Sequence, residues 1–182
     1  MNNVKLFLTD VDGCLTDGGM YYSAEGDELK RFCVYDGMGM VLLRRAGIRC
    51  GILTSERTPL VVNRARKLGL DYLFMGVGSK VSRSTCLRYA PATAEPQEIP
   101  AMTKLEAAKT LCGELGITLE NVCFVGDDVN DIDLLEAVGF PCCPPNARPE
   151  VLAIPGIHIT RTPGGQGTIR ELTDEILSNT LC

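Results

Sequence analysis

Along the chain, short continuous apolar runs alternate with segments whose apolar residues recur every three or four positions. The run at 4–9 ends in acidic residues and glycine, which predicts a buried strand feeding a loop. Segments 20–23 and 29–34 flank Ala24-Glu25-Gly26-Asp27, a turn composition, and predict a β-hairpin. Residues 37–46 have a helical pattern, and 48–53 form a second apolar run. Pro59 suits a first helical turn, Val61, Ala65 and Leu68 share one face, and Gly69 ends that helix. A strand is expected at 72–75. Segment 102–115 is the plainest helix, with Leu105, Ala108, Cys112 and Leu115 at helical spacing and Gly116 after them. Further strands are expected at 121–125, 140–143 and 156–159, with helices at 132–137 and 168–177.

Buried strands alternating with helices predict an α/β fold: a Rossmann-like parallel sheet with helices on both faces and a β-hairpin after the first strand. In such folds the site lies beyond the carboxyl ends of the strands. Three polar clusters follow strands here, Asp10/Asp12, Thr54/Ser55/Glu56 and Asp127/Asp128, and should converge on one edge. Residues 81–103 break the rhythm with three prolines and no clear period. They predict a long surface loop inserted within a single domain spanning 1–182.

Composition narrows the classes. The 182 residues suffice for one domain with a sizeable core, and a net charge of −5 argues against a nucleic-acid partner. The start lacks the pattern of a secretory signal, and no apolar run reaches membrane-spanning length. The nine cysteines are odd in number and lack CxxC spacing, which reads as reduced thiols and a cytoplasmic protein. The adjacent Cys142 and Cys143 fit a core strand better than a metal site.

The chemistry starts at Asp10-Val11-Asp12-Gly13. Two carboxylates two residues apart at a strand end can face one point, where a divalent cation relieves their repulsion. An EF-hand loop would need further ligands and lacks a preceding strand. Asp127 and Asp128, with Asp131 close behind, form a second acidic cluster. Magnesium favours oxygen ligands and few protein carboxylates, so Asp10 with one of Asp127 or Asp128 would suffice, the other serving as a helix cap. Thr54 and Ser55 offer hydroxyls and backbone N–H groups for phosphate oxygens.

In this order the elements Asp10/Asp12, Thr54, Lys104 and Gly126-Asp127-Asp128-Val129-Asn130-Asp131 resemble the four motifs of the haloacid dehalogenase superfamily of phosphotransferases. A bacterial receiver domain has similar residues in a different order. Asp10 through Gly18, the stretch Tyr35-Asp36-Gly37-Met38-Gly39, the segment from Leu53 to Tyr72, the run from Lys104 to Asp131 and the segment from Pro163 to Glu171 resemble the 3-deoxy-D-manno-octulosonate 8-phosphate (KDO 8-phosphate) phosphatase family. Its relatives act on nine-carbon ulosonate 9-phosphates such as those of KDN and sialic acid. The resemblance implies a fold with no cap domain, a homotetramer whose neighbouring subunit closes the pocket, and a small-molecule sugar phosphate as substrate.

It also implies roles. Asp10 is the nucleophile and a Mg2+ ligand, Asp12 is the general acid–base and binds metal through its carbonyl, and Asp127 completes the metal site. Asp128 and Asp131 orient waters or Lys104, and Thr54 and Lys104 neutralise the phosphoryl group. Ser55, Glu56, Arg64, Lys67, Gly164 and Gly165 are the candidates for holding the substrate, with Glu56, Arg64 and Lys67 reading the sugar within or across a subunit. The chain departs from the family pattern at Ser55-Glu56, where eight-carbon enzymes carry glycine and arginine, and a glutamate here leans towards the nine-carbon relatives. The insertion sets Lys80 against Lys104 as the catalytic lysine; Lys104 fits because it begins the helix leading to Gly126. A non-catalytic assembly domain would have lost an acidic motif residue, and a mutase would need a cap.

Overall fold

The structure is a computed structural model that describes residues 3–26, 28–78 and 84–180, the side chains of 179 and 180 excepted. Strand β1 (Leu6–Thr9) is buried on both faces: Leu6 and Leu8 enter one core cluster and Phe7 the other. The parallel neighbours of β1 are β4 (Arg49–Thr54) and β8 (Val122–Val125). Outside β4 lies β5 (Tyr72–Met75), and outside β8 lie β9 (Phe140–Cys143) and β10 (His158–Ile159), all parallel. Helices α1 (Val34–Arg45), α2 (Pro59–Leu68) and α6 (Thr168–Thr180) cover one face, with Met40, Val61, Ala65, Ile169 and Leu172 in its core. Helices α3 (Lys104–Leu115), α4 (Ile132–Leu135) and α5 (Pro149–Leu152) cover the other, with Ala107, Leu111, Leu134 and Val151 buried.

The helix signals act as local chemistry requires. The Thr58 hydroxyl accepts from the Leu60 N–H at 3.3 Å, Pro59 fills the first turn, and Gly69 ends α2 at φ 62°. Thr103 and Glu106 form a reciprocal capping box at α3, which Gly116 closes at φ 64°. The hairpin after β1 is present as β2 (Tyr21–Tyr22) and β3 (Glu28–Leu29), shorter than its sequence pattern predicts. No separate cap domain stands over the strand ends among the described residues.

The expected loop at 81–103 is corrected: from 85 onwards much of it is sheet, while 81–83 lie outside the described residues. Strand β6 (Thr85–Tyr89) pairs antiparallel with β5, and β7 (Gln97–Pro100) pairs antiparallel with β6. The sheet order is therefore β10-β9-β8-β1-β4-β5-β6-β7 among the described residues. Cys86 and Tyr89 are buried, and Ile99 packs beneath the sheet opposite Cys86. The prolines that hid this pattern lie between the strands or, as Pro100, at the end of the outermost strand, where a missing N–H is tolerated.

Candidate active site

Strands β8, β1 and β4 are neighbours whose residues Val125, Thr9 and Ile52 stand level. Asp127, Asp10 and Thr54 therefore emerge side by side at one sheet edge. Lys104, first residue of α3, is 1% exposed, and its ammonium lies 2.9 Å from Asp10 Oδ2 and 2.6 Å from Asp131 Oδ1. The other oxygen of Asp131 accepts from the N–H groups of Asp127 and Asp128, at 3.0 and 3.3 Å. Asp10 Oδ1 accepts from the Val11 N–H at 2.7 Å.

Asp10, Asp127 and Asp131 bring carboxylate oxygens within 4.8 Å of one another. Burial, with the Asp131 charge added against Lys104, pushes the Asp10 carboxyl up to about 7. Burial and then the charges of Asp10 and Asp131 push Asp127 up to about 7 as well. Such a donor set fits a hard divalent cation, because hard oxygen ligands that repel one another gain most from it. Asp131 is fully buried and braces Lys104 and two backbone N–H groups, whereas Asp10 and Asp127 keep some exposure, so these two are the carboxylates that could hold a metal.

Asp12 stands apart from this cluster. The Lys30 ammonium lies 2.6 and 2.7 Å from its two oxygens and 2.7 Å from Glu56 Oε2. The Thr54 hydroxyl accepts from the Glu56 N–H at 3.2 Å, and its own proton has no acceptor among the described residues. The Ser55 hydroxyl donates to the Val77 carbonyl at 2.9 Å and accepts from Asn130 at 3.1 Å, so it braces the loop.

The model for haloacid dehalogenase-like hydrolases matches residues 98–163. The 3-deoxy-D-manno-octulosonate 8-phosphate phosphatase of Escherichia coli K12 is 34% identical over 176 residues, 96% of this chain and 80% of the relative. The chain belongs to that phosphatase family. It is therefore a phosphomonoesterase of the haloacid dehalogenase-like class. Among solved structures, the Moraxella catarrhalis 3-deoxy-D-manno-octulosonate 8-phosphate phosphatase, in complex with magnesium, phosphate and KDO, superposes with a TM-score of 0.81. Its identity is 32%, with 99% of this chain and 89% of that one covered. The cobalt-bound Haemophilus influenzae enzyme gives a TM-score of 0.79 at 31% identity, covering 98% and 90%.

Within the chain, several of the expected residues make contacts of their own. Asp128 is exposed and caps the turn after β8, accepting from the Val129 N–H at 2.7 Å. Arg64 donates to the Cys33 carbonyl at 2.9 Å and lies over the Phe32 ring, so its guanidinium serves the start of α1. Lys67 is exposed in the last turn of α2, which runs away from the strand ends that carry Asp10. Gly164 and Gly165 are buried against the catalytic loop rather than open to a ligand. A Cβ on Gly164 would lie 1.7 Å from the Gly13 carbonyl oxygen, and Gly165, at φ 67°, donates to the Cys14 carbonyl at 2.9 Å. Lys80, the rival of Lys104, is outside the described residues.

Three contributors are not among the residues expected at the site. Lys30 reaches the site from the end of the hairpin. Asn146 bridges two backbones, donating to the Gly13 carbonyl at 3.1 Å and accepting from the Gly164 N–H at 2.8 Å. The fully buried Asp36 accepts from the N–H groups of Gly167 and Arg170, at 3.2 and 3.1 Å, and fixes the start of α6 to α1.

Proposed function

We propose that this protein is a magnesium-dependent phosphatase of a 3-deoxy-ulosonic acid phosphorylated at its terminal carbon, a nine-carbon 9-phosphate of the KDN or sialate type. The observation that carries the phosphatase chemistry is Asp10 at a strand end, buried and paired with Lys104 beside Asp127. Asp10 attacks phosphorus as the bond to the sugar oxygen breaks, and Asp12 gives that oxygen a proton. Water then attacks the phosphoryl group on Asp10, Asp12 takes the water's proton, and Asp10 is freed. The Lys104 ammonium and the Thr54 hydroxyl neutralise charge on the phosphoryl oxygens. Asp10, Asp127 and the Asp12 carbonyl would hold Mg2+, which when bound offsets the negative charge shared by the phosphate and these carboxylates.

The nine-carbon preference rests on Glu56. It is held beside Asp12 by Lys30 and remains 39% exposed, so it can accept hydrogen bonds from sugar hydroxyls. A longer chain offers one more hydroxyl-bearing carbon. The 3-deoxy-D-manno-octulosonate 8-phosphate named for the relatives is the second reading. Initial rates on KDO 8-phosphate, KDN 9-phosphate and N-acetylneuraminate 9-phosphate with Mg2+ decide between them. A higher kcat/KM for the eight-carbon substrate overturns the preference, and no turnover of any of the three overturns the substrate class.

The assembly we propose is a homotetramer with shared sites. Tyr21, Tyr22, Leu29, Val34, Tyr35 and Met38 are exposed around the hairpin and the start of α1, an apolar surface suited to another subunit. Light scattering at assay concentration tests this, and a fully active monomer contradicts it.

A further inference from the structure

Lys30 lies just beyond β3, and its side chain is fully buried. Its ammonium contacts Asp12 at 2.6 Å and Glu56 at 2.7 Å, residues 18 and 26 positions away. Yet it stands 3.7 Å from Glu28 in its own hairpin, whose buried Oε1 has no hydrogen-bond partner. A lysine serving only to staple the hairpin would satisfy that neighbouring carboxylate. Instead the hydrogen bonds of the cation go to two groups with distinct tasks, and they hold Asp12 and Glu56 oxygens within about 5.3 Å of each other, the sum of the two bond lengths. Without it, two carboxylates at that spacing repel each other and face a substrate that carries both a phosphate and a carboxylate.

We infer that Lys30 is the positioning residue that couples reading of the sugar, through Glu56, to handling of the leaving oxygen, through Asp12. This rests on the proposed function for the roles of those two groups. Lys30 itself touches no substrate, because its side chain is fully covered. Its effect is felt where the leaving group is an alkoxide that needs a proton and carries hydroxyls to be read. A nitrophenolate leaving group needs neither.

The test compares Lys30→Met with wild type on the preferred sugar phosphate and on p-nitrophenyl phosphate. Breaking the buried pair should lower kcat/KM for the sugar phosphate about 100-fold. First-turnover release of nitrophenol should fall by less than about tenfold, since that step needs no general acid. Glu56→Gln added to Lys30→Met should cost little more, because the two act as a unit. Lys30→Arg, which keeps a cation within reach of both carboxylates, should retain more sugar-phosphate activity than the methionine variant. Equal losses on both substrates, or additive losses in the double variant, would overturn the inference. Should Lys30→Met fail to fold, Lys30→Gln supplies the same ratio. If wild type prefers a different sugar phosphate, the substrate reading fails alone, and the ratio measured on that compound still decides the role of Lys30.

Discussion

Replacing Lys104 by methionine keeps most of the side chain's volume and removes its charge. In the native site that charge sits 1% exposed, 2.9 Å from Asp10 and 2.6 Å from Asp131, which is itself fully buried. Removing one partner of a buried ion pair leaves an uncompensated charge and costs about 3–5 kcal/mol. For a chain of this length that is a fall in Tm of roughly 6–15 °C in metal-free buffer. A divalent cation on Asp10 and Asp127 replaces part of the lost charge, so Mg2+ should raise the variant's Tm more than wild type's. Catalysis has no such substitute: loss of one charge contact to the phosphoryl group should lower kcat by about 10²–10³. Differential scanning calorimetry with and without Mg2+, together with initial-rate assays on the same samples, measures both effects. A variant with unchanged metal-free stability and kcat within tenfold of wild type would refute the placement of Lys104 at the centre of the site. Lys80→Ala is then the control, and it should cost far less activity.

Two further outcomes follow from the same geometry. The Asp10 and Asp127 carboxyls are raised from 3.8 to about 7, so the metal-free fold binds more protons than the unfolded chain. Their contribution to stability is full below pH 4 and lost as pH rises through 7; the gain in Tm on adding Mg2+ should therefore grow from pH 5 to pH 8, and a flat profile would contradict it. Gly164→Ala should lower both Tm and kcat, because its Cβ would fall 1.7 Å from the Gly13 carbonyl oxygen in the loop after Asp12, and wild-type kinetics from that variant would count against the buttressing role.

What could be read from the sequence followed local pattern. Strands β1, β4, β5 and β8 are continuous apolar runs. Helices α2 and α3 carry their own start and stop residues, so their ends fall where Pro59, Gly69, Thr103 and Gly116 put them. Asp10, Thr54 and Asp127 were legible because each follows such a strand, and adjacency of β8, β1 and β4 then brings them together. The strands β6 and β7 were not legible. Their covered apolar residues are few and divided between the two faces, Cys86 and Ile99 on one and Tyr89 on the other, among three prolines. Periodicity places Arg64 on a helix face but does not tell that its guanidinium will find the Cys33 carbonyl. Lys30 and Asn146 act across 18 and 133 positions, and no local pattern encodes a pairing of that kind.

The proposed chemistry requires Asp10 to carry the phosphoryl group between the two half-reactions. A rapid acid quench of wild type with its 32P-labelled sugar phosphate and Mg2+ should trap one acid-stable, alkali-labile label per site, which peptide mapping locates at Asp10. Asp10→Asn should fold, show no bound label and release no phosphate above a blank. Turnover by that variant, or label recovered on any other residue, would rule out Asp10 as the nucleophile.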